Sequence, residues 1–225
     1  MVSQQDSEFA REQMVAQQIR AWDVLDLTVL DLFRRLPRED FVPAAYRDVA
    51  YADTPIPLTA DQHMLTPKVA GRIVQALAVK AGEQVLEIGT GSGFLSACFG
   101  LQGARVRSLE INATLAEQAR RNLQAAGFGP SQAPIEVETA DAYTRLSGTP
   151  TYDAIVFTAS MPLYDARFEA QLKPGGRLFV VVGEGPAMDA RLVTRETSGQ
   201  RREASLFETV LDPLVNALRT EQFRF

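Results

Sequence analysis

The sequence predicts an α/β protein built on a seven-stranded, mostly parallel sheet, with an antiparallel strand pair at its C-terminal end and a small helical unit before it. Two patterns favour this fold class. Over the last two thirds of the 225 residues, short β-rich runs alternate with helical stretches, which is typical of right-handed βαβ units. The last two β-rich runs are separated only by a polar turn, so we expect them to pair antiparallel and to close the sheet edge.

The first third of the chain is expected to hold short helices and an irregular connector. Apolar residues recur at helical spacing over residues 8–22, and Asp26 is a suitable N-cap for a second helix that ends at the following proline. Repeated prolines over residues 37–67 disfavour long elements there, but scattered apolar residues should anchor the connector. Thr66, as N-cap, and Pro67, in the first turn, then predict a third helix that runs to about residue 79.

Residues 80–225 are expected to form the domain that carries the chemistry, and residues 1–79 an N-terminal unit packed on it. The predicted strands are 84–88, 105–110, 135–139, 154–158, 177–182, 191–197 and 205–211. The predicted helices of this domain are 94–101, 113–126 and 167–172. We assign to its core the side chains of Phe94, Leu101, Leu115, Ile155, Phe157, Leu178, Val180 and the lone Cys98.

Composition argues against several classes of function. One cysteine and one histidine are too few for a disulfide framework or a Cys/His zinc site, so no metal is expected. The net charge of -5 disfavours nucleic acid as a partner. We interpret a local group of basic residues as a solvated strand face: Arg191, Arg195, Arg201 and Arg202.

The chain also lacks the apolar run of roughly 20 residues that a membrane-spanning helix needs, so no membrane partner is expected. The first residues are polar and acidic, unlike a signal peptide, and we therefore expect a cytoplasmic protein. The sequence does not predict the oligomeric state.

A glycine-rich loop joins the first predicted strand of the sheet to the helix that follows it. A dinucleotide-binding loop would need its third glycine where Phe94 stands, so NAD is the weaker interpretation. The loop also lacks the lysine of a phosphate-binding P-loop. A nucleophile elbow around Ser92 would require glycine where Thr90 and Phe94 stand. The candidate ligand-binding residues of the loop are Glu87, Gly89, Thr90, Gly91, Ser92 and Gly93.

Acidic residues follow the next two strands at the same edge of the predicted sheet. Glu110 ends the second strand, where a carboxylate can accept hydrogen bonds from both hydroxyls of an adenosine ribose. Asp141, with Ala142 beside it, follows the third strand and is a candidate acceptor for the amino group of adenine. The loop and Glu110 together, at the spacing of a βαβ unit, predict a site for a nucleoside-type ligand, whereas Asp141 by itself could equally be an ordinary turn residue.

Segments on both sides of the glycine loop carry a family resemblance. In the sheet domain they are VLEIGTGSGF at 85–94, YDAIVFTA at 152–159 and QLKPGGRL at 171–178. Before it they are PREDFVP at 37–43, and YAD followed by PIPL within 51–58. These segments resemble the class I methyltransferases and, more narrowly, the protein-L-isoaspartate O-methyltransferase family.

The resemblance, which runs from about residue 14 to residue 214, implies a Rossmann-like methyltransferase fold with S-adenosyl-L-methionine as the cofactor. It further implies methyl transfer to the carboxylate of isoaspartyl residues in peptides or damaged proteins, a protein-repair activity. Glu87 would then face the cationic methionyl part of the cofactor, directly or through water. A carboxylate acceptor is already a nucleophile, so no general base is needed, which agrees with the single histidine.

The acceptor-side segment departs from the family pattern. The family reads Gln-Thr-Ile-Ser-Gln-Pro, with the serine near the reacting carboxylate, whereas residues 62–67 read QHMLTP. Leu65 stands in place of the serine, Thr66 could present a hydroxyl or simply cap the helix, and His63 could line the acceptor pocket. Two alternatives stay open: a methyltransferase for a small acidic or phenolic acceptor, and a cofactor-binding protein without catalysis.

Overall fold

The N-terminal part of the chain consists of short helices and a small hairpin. The computed structural model describes residues 4–129, 134–146 and 148–219, so the outer limits of the two predicted units lie outside the described residues. The helices are α1 (Gln4–Gln13), α2 (Leu27–Arg35) and α3 (Pro67–Leu77), with a π-helical turn (Met14–Ile19) and 3-10 turns (Arg20–Trp22, Arg38–Phe41, Ala44–Val49). Strands β1 (Ile56–Pro57) and β2 (His63–Met64) form an antiparallel hairpin within the connector, which the sequence did not predict.

Two of these helices begin where capping residues predict them. The side chain of Asp26 accepts a hydrogen bond from the backbone N of Thr28 at the start of α2. Thr66 is the N-cap residue of α3 and Pro67 lies in its first turn, as predicted. The Thr66 side chain nevertheless makes no capping hydrogen bond, and its buried Oγ1 has no partner among the described residues. Thr66 therefore marks the start of α3 through its extended backbone rather than through its hydroxyl.

The remaining strands form one seven-stranded sheet, which confirms the predicted fold class. They are β3 (Gln84–Ile88), β4 (Arg105–Glu110), β5 (Ile135–Thr139), β6 (Tyr152–Met161), β7 (Leu172–Val182), β8 (Met188–Arg195) and β9 (Arg201–Thr209). Between them lie α4 (Phe94–Leu101), α5 (Ala113–Ala125) and 3-10 turns (Ala142–Arg145, Ala166–Gln171). Their order across the sheet is β5-β4-β3-β6-β7-β8-β9. The pairs from β5 to β7 are parallel, and those from β7 to β9 are antiparallel.

The structure corrects the predicted bounds in the C-terminal half. A 3-10 turn replaces the helix predicted at 167–172, and β7 begins at Leu172 rather than at residue 177. Pro174 and the two following glycines read as a turn, but they lie where the register with β6 shifts, so extended chain accommodates them. Strands β8 and β9 also begin before the predicted residues 191 and 205.

Buried side chains form two clusters, and alternate residues of the central strands belong to different clusters, as expected for the two faces of a sheet. Val85 and Val156 pack with the N-terminal helices and α4, whereas Leu86 and Ile155 pack with the 3-10 turn before β7. The N-terminal segment therefore shares a core with the sheet. The division into two units at residue 79 stays a prediction.

The predicted core residues are buried with one exception. Leu101 is 39% exposed, because it is the last residue of α4 and shares a surface groove with Leu32 of α2. The assignment of Leu101 to the core was wrong. The buried members are Phe94, Cys98, Leu115, Ile155, Phe157, Leu178 and Val180.

The basic residues near the C-terminal end are more than a solvated face. Arg191 forms ion pairs with Asp189 and Glu203, because acidic residues alternate with arginines on neighbouring strands. Arg195 donates to the carbonyl oxygen of Leu172 at 2.8 Å. Arg201 likewise pairs with Glu169 and Glu203, while Arg202 is exposed.

The described ranges contain no helix able to cross a membrane and no group of three or more potential metal ligands.

Candidate functional site

The loop between β3 and α4 has a backbone that only glycines adopt without strain. Gly89, Gly91 and Gly93 have φ values of 93, 54 and 86°, in the left-handed region. A Cβ atom on Gly89 would lie 2.3 Å from Oγ1 of Thr158, so β6 approaches this residue too closely for a side chain. The loop therefore presents bare backbone at the carboxyl edge of the sheet, where parallel α/β proteins bind their ligands.

Glu110 lies under this loop at the end of β4 and is 3% exposed. Its Oε2 accepts a hydrogen bond from the backbone N of Gly91 at 2.9 Å, and its Oε1 accepts from the backbone N of Asn112 at 3.0 Å. Each carboxylate oxygen can accept a second hydrogen bond. Glu110 is thus held in place by the loop and can still accept from two adjacent hydroxyl groups.

A cleft opens along this edge, and its lining includes Gly89, Glu110, Asp141 and Ala142. Asp141 caps the 3-10 turn that follows it, because its Oδ1 accepts from the backbone N of Tyr143 at 2.9 Å. Its Oδ2 accepts from the side chain of Asn216 at 2.8 Å. Apolar side chains provide the other walls: Ile88, Leu109, Ile111, Leu115 and Leu58.

A smaller cavity adjoins the cleft and shares Gly89 and Gly91 with it, and Glu87 lies in its lining. The Glu87 side chain is fully buried, and its Oε2 accepts hydrogen bonds from the hydroxyls of Ser96 and Ser108. Its Oε1 has no partner among the described residues. Burial raises the pKa of Glu87 to about 7, because the charged form loses its hydration. The loop residues Thr90 and Ser92 line the same cavity.

The acceptor-side residues predicted from the sequence lie at different places around this cavity. His63 and Leu65 line it, whereas Thr66 belongs to the lining of neither the cleft nor the cavity. His63 Nδ1 lies 3.0 Å from Oδ2 of Asp212, and the His63 backbone N donates to the same oxygen at 2.8 Å. His63 is thus joined to a distant part of the chain rather than to the start of α3.

Three participants were not predicted. Arg38 lines the cavity, Ser108 positions Glu87, and Asp212 binds His63. Arg38 is fully buried although arginines are usually exposed, so composition and periodicity gave no reason to choose it. Asp212 lies far from His63 in sequence, and nothing in the local pattern links them. Such contacts appear only once the sheet order is known.

The strand order, the antiparallel C-terminal pair, the glycine loop and the carboxylate at the end of β4 together define a Rossmann-like domain of the class I methyltransferase type. The family model described as protein-L-isoaspartate(D-aspartate) O-methyltransferase matches residues 10–219. The chain therefore belongs to the protein-L-isoaspartate O-methyltransferase family.

Curated relatives support this assignment over most of the chain. The protein-L-isoaspartate O-methyltransferase of Rhodopseudomonas palustris (strain ATCC BAA-98 / CGA009) is 37% identical over 205 residues, which cover 91% of this chain and 92% of that protein. The protein of the same name from Methanoculleus marisnigri is 38% identical over 187 residues, which cover 83% of both chains. The similarity thus includes the N-terminal segment as well as the sheet.

Two solved structures share the fold. One is a Plasmodium falciparum protein, proposed to be a protein-L-isoaspartate O-methyltransferase, in complex with S-adenosyl-L-homocysteine. It has a TM-score of 0.76 at 17% identity, and the match covers 91% of this chain and 97% of that one. The other, a protein-L-isoaspartate O-methyltransferase, has a TM-score of 0.74 at 22% identity and covers 93% and 67% of the two chains.

Proposed function

We propose that this chain transfers the methyl group of S-adenosyl-L-methionine to the carboxylate of isoaspartyl residues in damaged peptides and proteins. The observation that carries the proposal is the cavity lined both by the glycine loop, through Thr90 and Ser92, and by the acceptor-side residues His63 and Leu65. Family membership over residues 10–219 spans both sides of that cavity. A role in protein repair and a cytoplasmic location are parts of the same proposal, and cell fractionation would test the second.

The residues of the cleft fit the cofactor. Gly89 and Gly91 line the cleft with main-chain atoms only, and Glu110 has free acceptor capacity for the two ribose hydroxyls. Asp141 and Ala142 would face the adenine, and the unpartnered Oε1 of Glu87 would face the methionyl ammonium. When bound, the cofactor supplies a methyl group activated by its sulfonium.

The protein's contribution to methyl transfer is alignment and exclusion of water. In-line displacement requires the acceptor oxygen, the methyl carbon and the leaving sulfur to be collinear, which a walled cavity favours. Leu58 and Leu65 contribute apolar side chains to the lining of this cavity. A carboxylate acceptor needs no deprotonation, and His63 is already hydrogen-bonded to Asp212.

The acceptor side lacks the hydroxyl that Leu65 replaces. Thr66 Oγ1 is the nearest hydroxyl in sequence, is buried and has no hydrogen-bond partner in the described chain, so it stays a candidate for that role. Because Thr66 does not line the cavity, we expect turnover to be slower than with a serine at residue 65. A lost hydrogen bond of this kind costs on the order of 1 to 3 kcal/mol.

The test is an assay with a matched pair of peptides that differ only in one isoaspartyl or aspartyl linkage. The purified chain is incubated with S-adenosyl-L-methionine carrying a labelled methyl group, and label in the peptide is counted. We expect label in the isoaspartyl peptide and only background in its aspartyl isomer. Equal labelling of the two, or none while the cofactor binds, would refute the isoaspartyl assignment.

A further inference from the structure

Arg38 is a fully buried cation that the fold alone does not satisfy. Its Nε donates to the carbonyl oxygen of Ala50 at 2.9 Å, and its Nη2 donates to that of Leu65 at 2.5 Å. Its Nη1 is also buried and has no hydrogen-bond partner among the described residues. The guanidinium carbon lies 5.1 Å from the centre of the Phe94 ring. One donor group of Arg38 is thus left for a ligand.

No carboxylate in the described part of the chain forms an ion pair with Arg38. Burial lowers the pKa of Arg38 to about 10, so the side chain remains charged at neutral pH. The titratable neighbours that act on it are Cys98 and Tyr51, and both are uncharged near pH 7 because burial raises their pKa values. A buried charge is costly unless an opposite charge and hydrogen bonds compensate it. Two carbonyl oxygens supply only part of that compensation.

The cavity beside the glycine loop brings this cation together with a group of opposite character. Arg38 and Glu87 both belong to its lining, and each has one buried polar atom without a partner. The loop residues Thr90 and Ser92 line the same cavity. A zwitterion, with one carboxylate and one ammonium group, matches this pair of unpartnered groups.

We propose that Arg38 binds the α-carboxylate at the amino-acid end of the cofactor, while Glu87 accepts from its ammonium group; this inference rests on the proposed function. Arginine suits the role because its guanidinium donates to carboxylates in a fixed planar geometry. Its bonds to the carbonyl oxygens of Ala50 and Leu65 hold the guanidinium at the cavity. Arg38 is a binding and positioning residue in this account.

The same carboxylate chemistry could come from the methyl acceptor, but two arguments favour the cofactor. A hydrogen bond and ion pair from Arg38 would occupy lone pairs on the attacking oxygen and lower its nucleophilicity, whereas the cofactor carboxylate takes no part in the reaction. Glu87, in the same cavity, suits the ammonium group that adjoins the cofactor carboxylate.

The experiment is a two-by-two comparison of protein and ligand. The natural chain and Arg38→Met are titrated calorimetrically with S-adenosylhomocysteine and with its decarboxylated analogue, which keeps the amine. We expect Arg38→Met to weaken the binding of S-adenosylhomocysteine by about tenfold or more, which is the scale of a hydrogen bond between charged groups. Binding of the decarboxylated analogue should change by less than about twofold.

Arg72→Met is the matched control. Arg72 also donates to two backbone carbonyl oxygens, those of Trp22 and Leu206, and its guanidinium carbon also lies 5.1 Å from an aromatic ring centre, that of Phe207. It lines neither the cleft nor the cavity. Replacing Arg72 should leave the affinities for both ligands unchanged.

Each other outcome overturns the inference. If Arg38→Met lost affinity for both ligands equally, the role of Arg38 would be purely structural. Unchanged S-adenosylhomocysteine binding with a raised KM for the isoaspartyl peptide would assign Arg38 to the acceptor. If Arg38→Met does not fold, the affinities of the natural chain for the two ligands test the inference. A preference of less than about threefold for S-adenosylhomocysteine over its decarboxylated analogue would exclude a carboxylate contact of the proposed strength. Failure of the natural chain to bind S-adenosylhomocysteine would instead refute the proposed function.

Discussion

At the scale of single residues, the site is built from polar groups that burial makes costly. Glu87 is the clearest case, because its carboxylate is fully buried and only one of its oxygens has described partners. The sequence predicted Glu87 as a ligand-facing residue from its position at the end of β3. It did not predict the hydroxyls of Ser96 and Ser108 that hold the carboxylate, because those contacts depend on how α4 and β4 pack.

Burial of Glu87 predicts a pH-dependent stability. Its pKa rises from 4.5 to about 7 on folding, so the folded state holds the proton more tightly than the unfolded state does. Stability is therefore greatest below pH 4.5 for this group and falls as pH rises towards 7, by about 3 kcal/mol in all. We expect the free energy of unfolding of Glu87→Gln, measured with urea, to lack this fall between pH 4.5 and 7. At pH 8 the variant should therefore be more stable than the natural chain.

The control for this measurement is Glu117→Gln, since Glu117 is an exposed helix residue paired with Arg120 and Arg121. Its unfolding curve should follow the natural chain across the same pH range. A Glu87→Gln chain that loses stability at pH 8, or keeps the full slope, would show that the Glu87 carboxylate is not under a burial penalty.

Leu65 is the residue at which this chain departs from the family pattern. Because Leu65 lines the cavity, a serine there would place a hydroxyl on the acceptor side. We expect Leu65→Ser to raise kcat/KM for an isoaspartyl peptide by roughly ten- to hundred-fold. Leu65→Ala makes similar space without the hydroxyl, and an equal gain in that variant would contradict the hydrogen-bond explanation.

At the scale of elements, the hairpin of β1 and β2 is tied to the chain that follows β9. His63 donates its backbone N–H to Asp212, and Ser160 of β6 accepts from the backbone N of Leu214 while donating its own N–H to the carbonyl of Asp212. The segment after β9 therefore lies over the cleft, and its residues 212–215 contribute to the lining. The sequence predicted neither the hairpin nor this cover, because both depend on contacts between distant residues.

Removing the Asp212 side chain should loosen this cover. We expect Asp212→Ala to speed amide hydrogen exchange over residues 211–216 and to weaken the binding of S-adenosylhomocysteine by up to about tenfold, since the hydrogen bonds from His63 to the partly exposed Asp212 carboxylate are lost. Asp31→Ala, which removes an exposed ion pair with Arg35, is the control. Exchange that is unchanged in Asp212→Ala would show that the bonds of Ser160 hold the segment by themselves.

The elements that the sequence predicted well are those with a strong local signal. β3, α4, β4 and β5 have the predicted bounds, because their apolar runs are short and end at glycine or polar residues. The start of β7 was wrong because a proline and two glycines usually mark a turn, whereas here a register shift accommodates them in the strand.

At the scale of the whole molecule, the N-terminal segment and the sheet domain meet at the cavity. Arg38 and Leu65 come from the first and Glu87 from the second, and all three line one space. The sequence predicted the cofactor side of this site because glycines and strand-end carboxylates carry it locally. It predicted the acceptor side only through resemblance, and it missed Arg38 because burial of a charge has no local pattern.

The central claim is that this one cavity directs the methyl group to an isoaspartyl carboxylate. The most direct measurement is tandem mass spectrometry of a peptide that contains one isoaspartyl residue together with ordinary aspartyl and glutamyl residues, after incubation with the chain and S-adenosyl-L-methionine. We predict a single added methyl group, located by fragmentation on the α-carboxylate of the isoaspartyl residue. A methyl group on any other carboxylate, or an unmodified peptide in the presence of bound cofactor, would contradict the account.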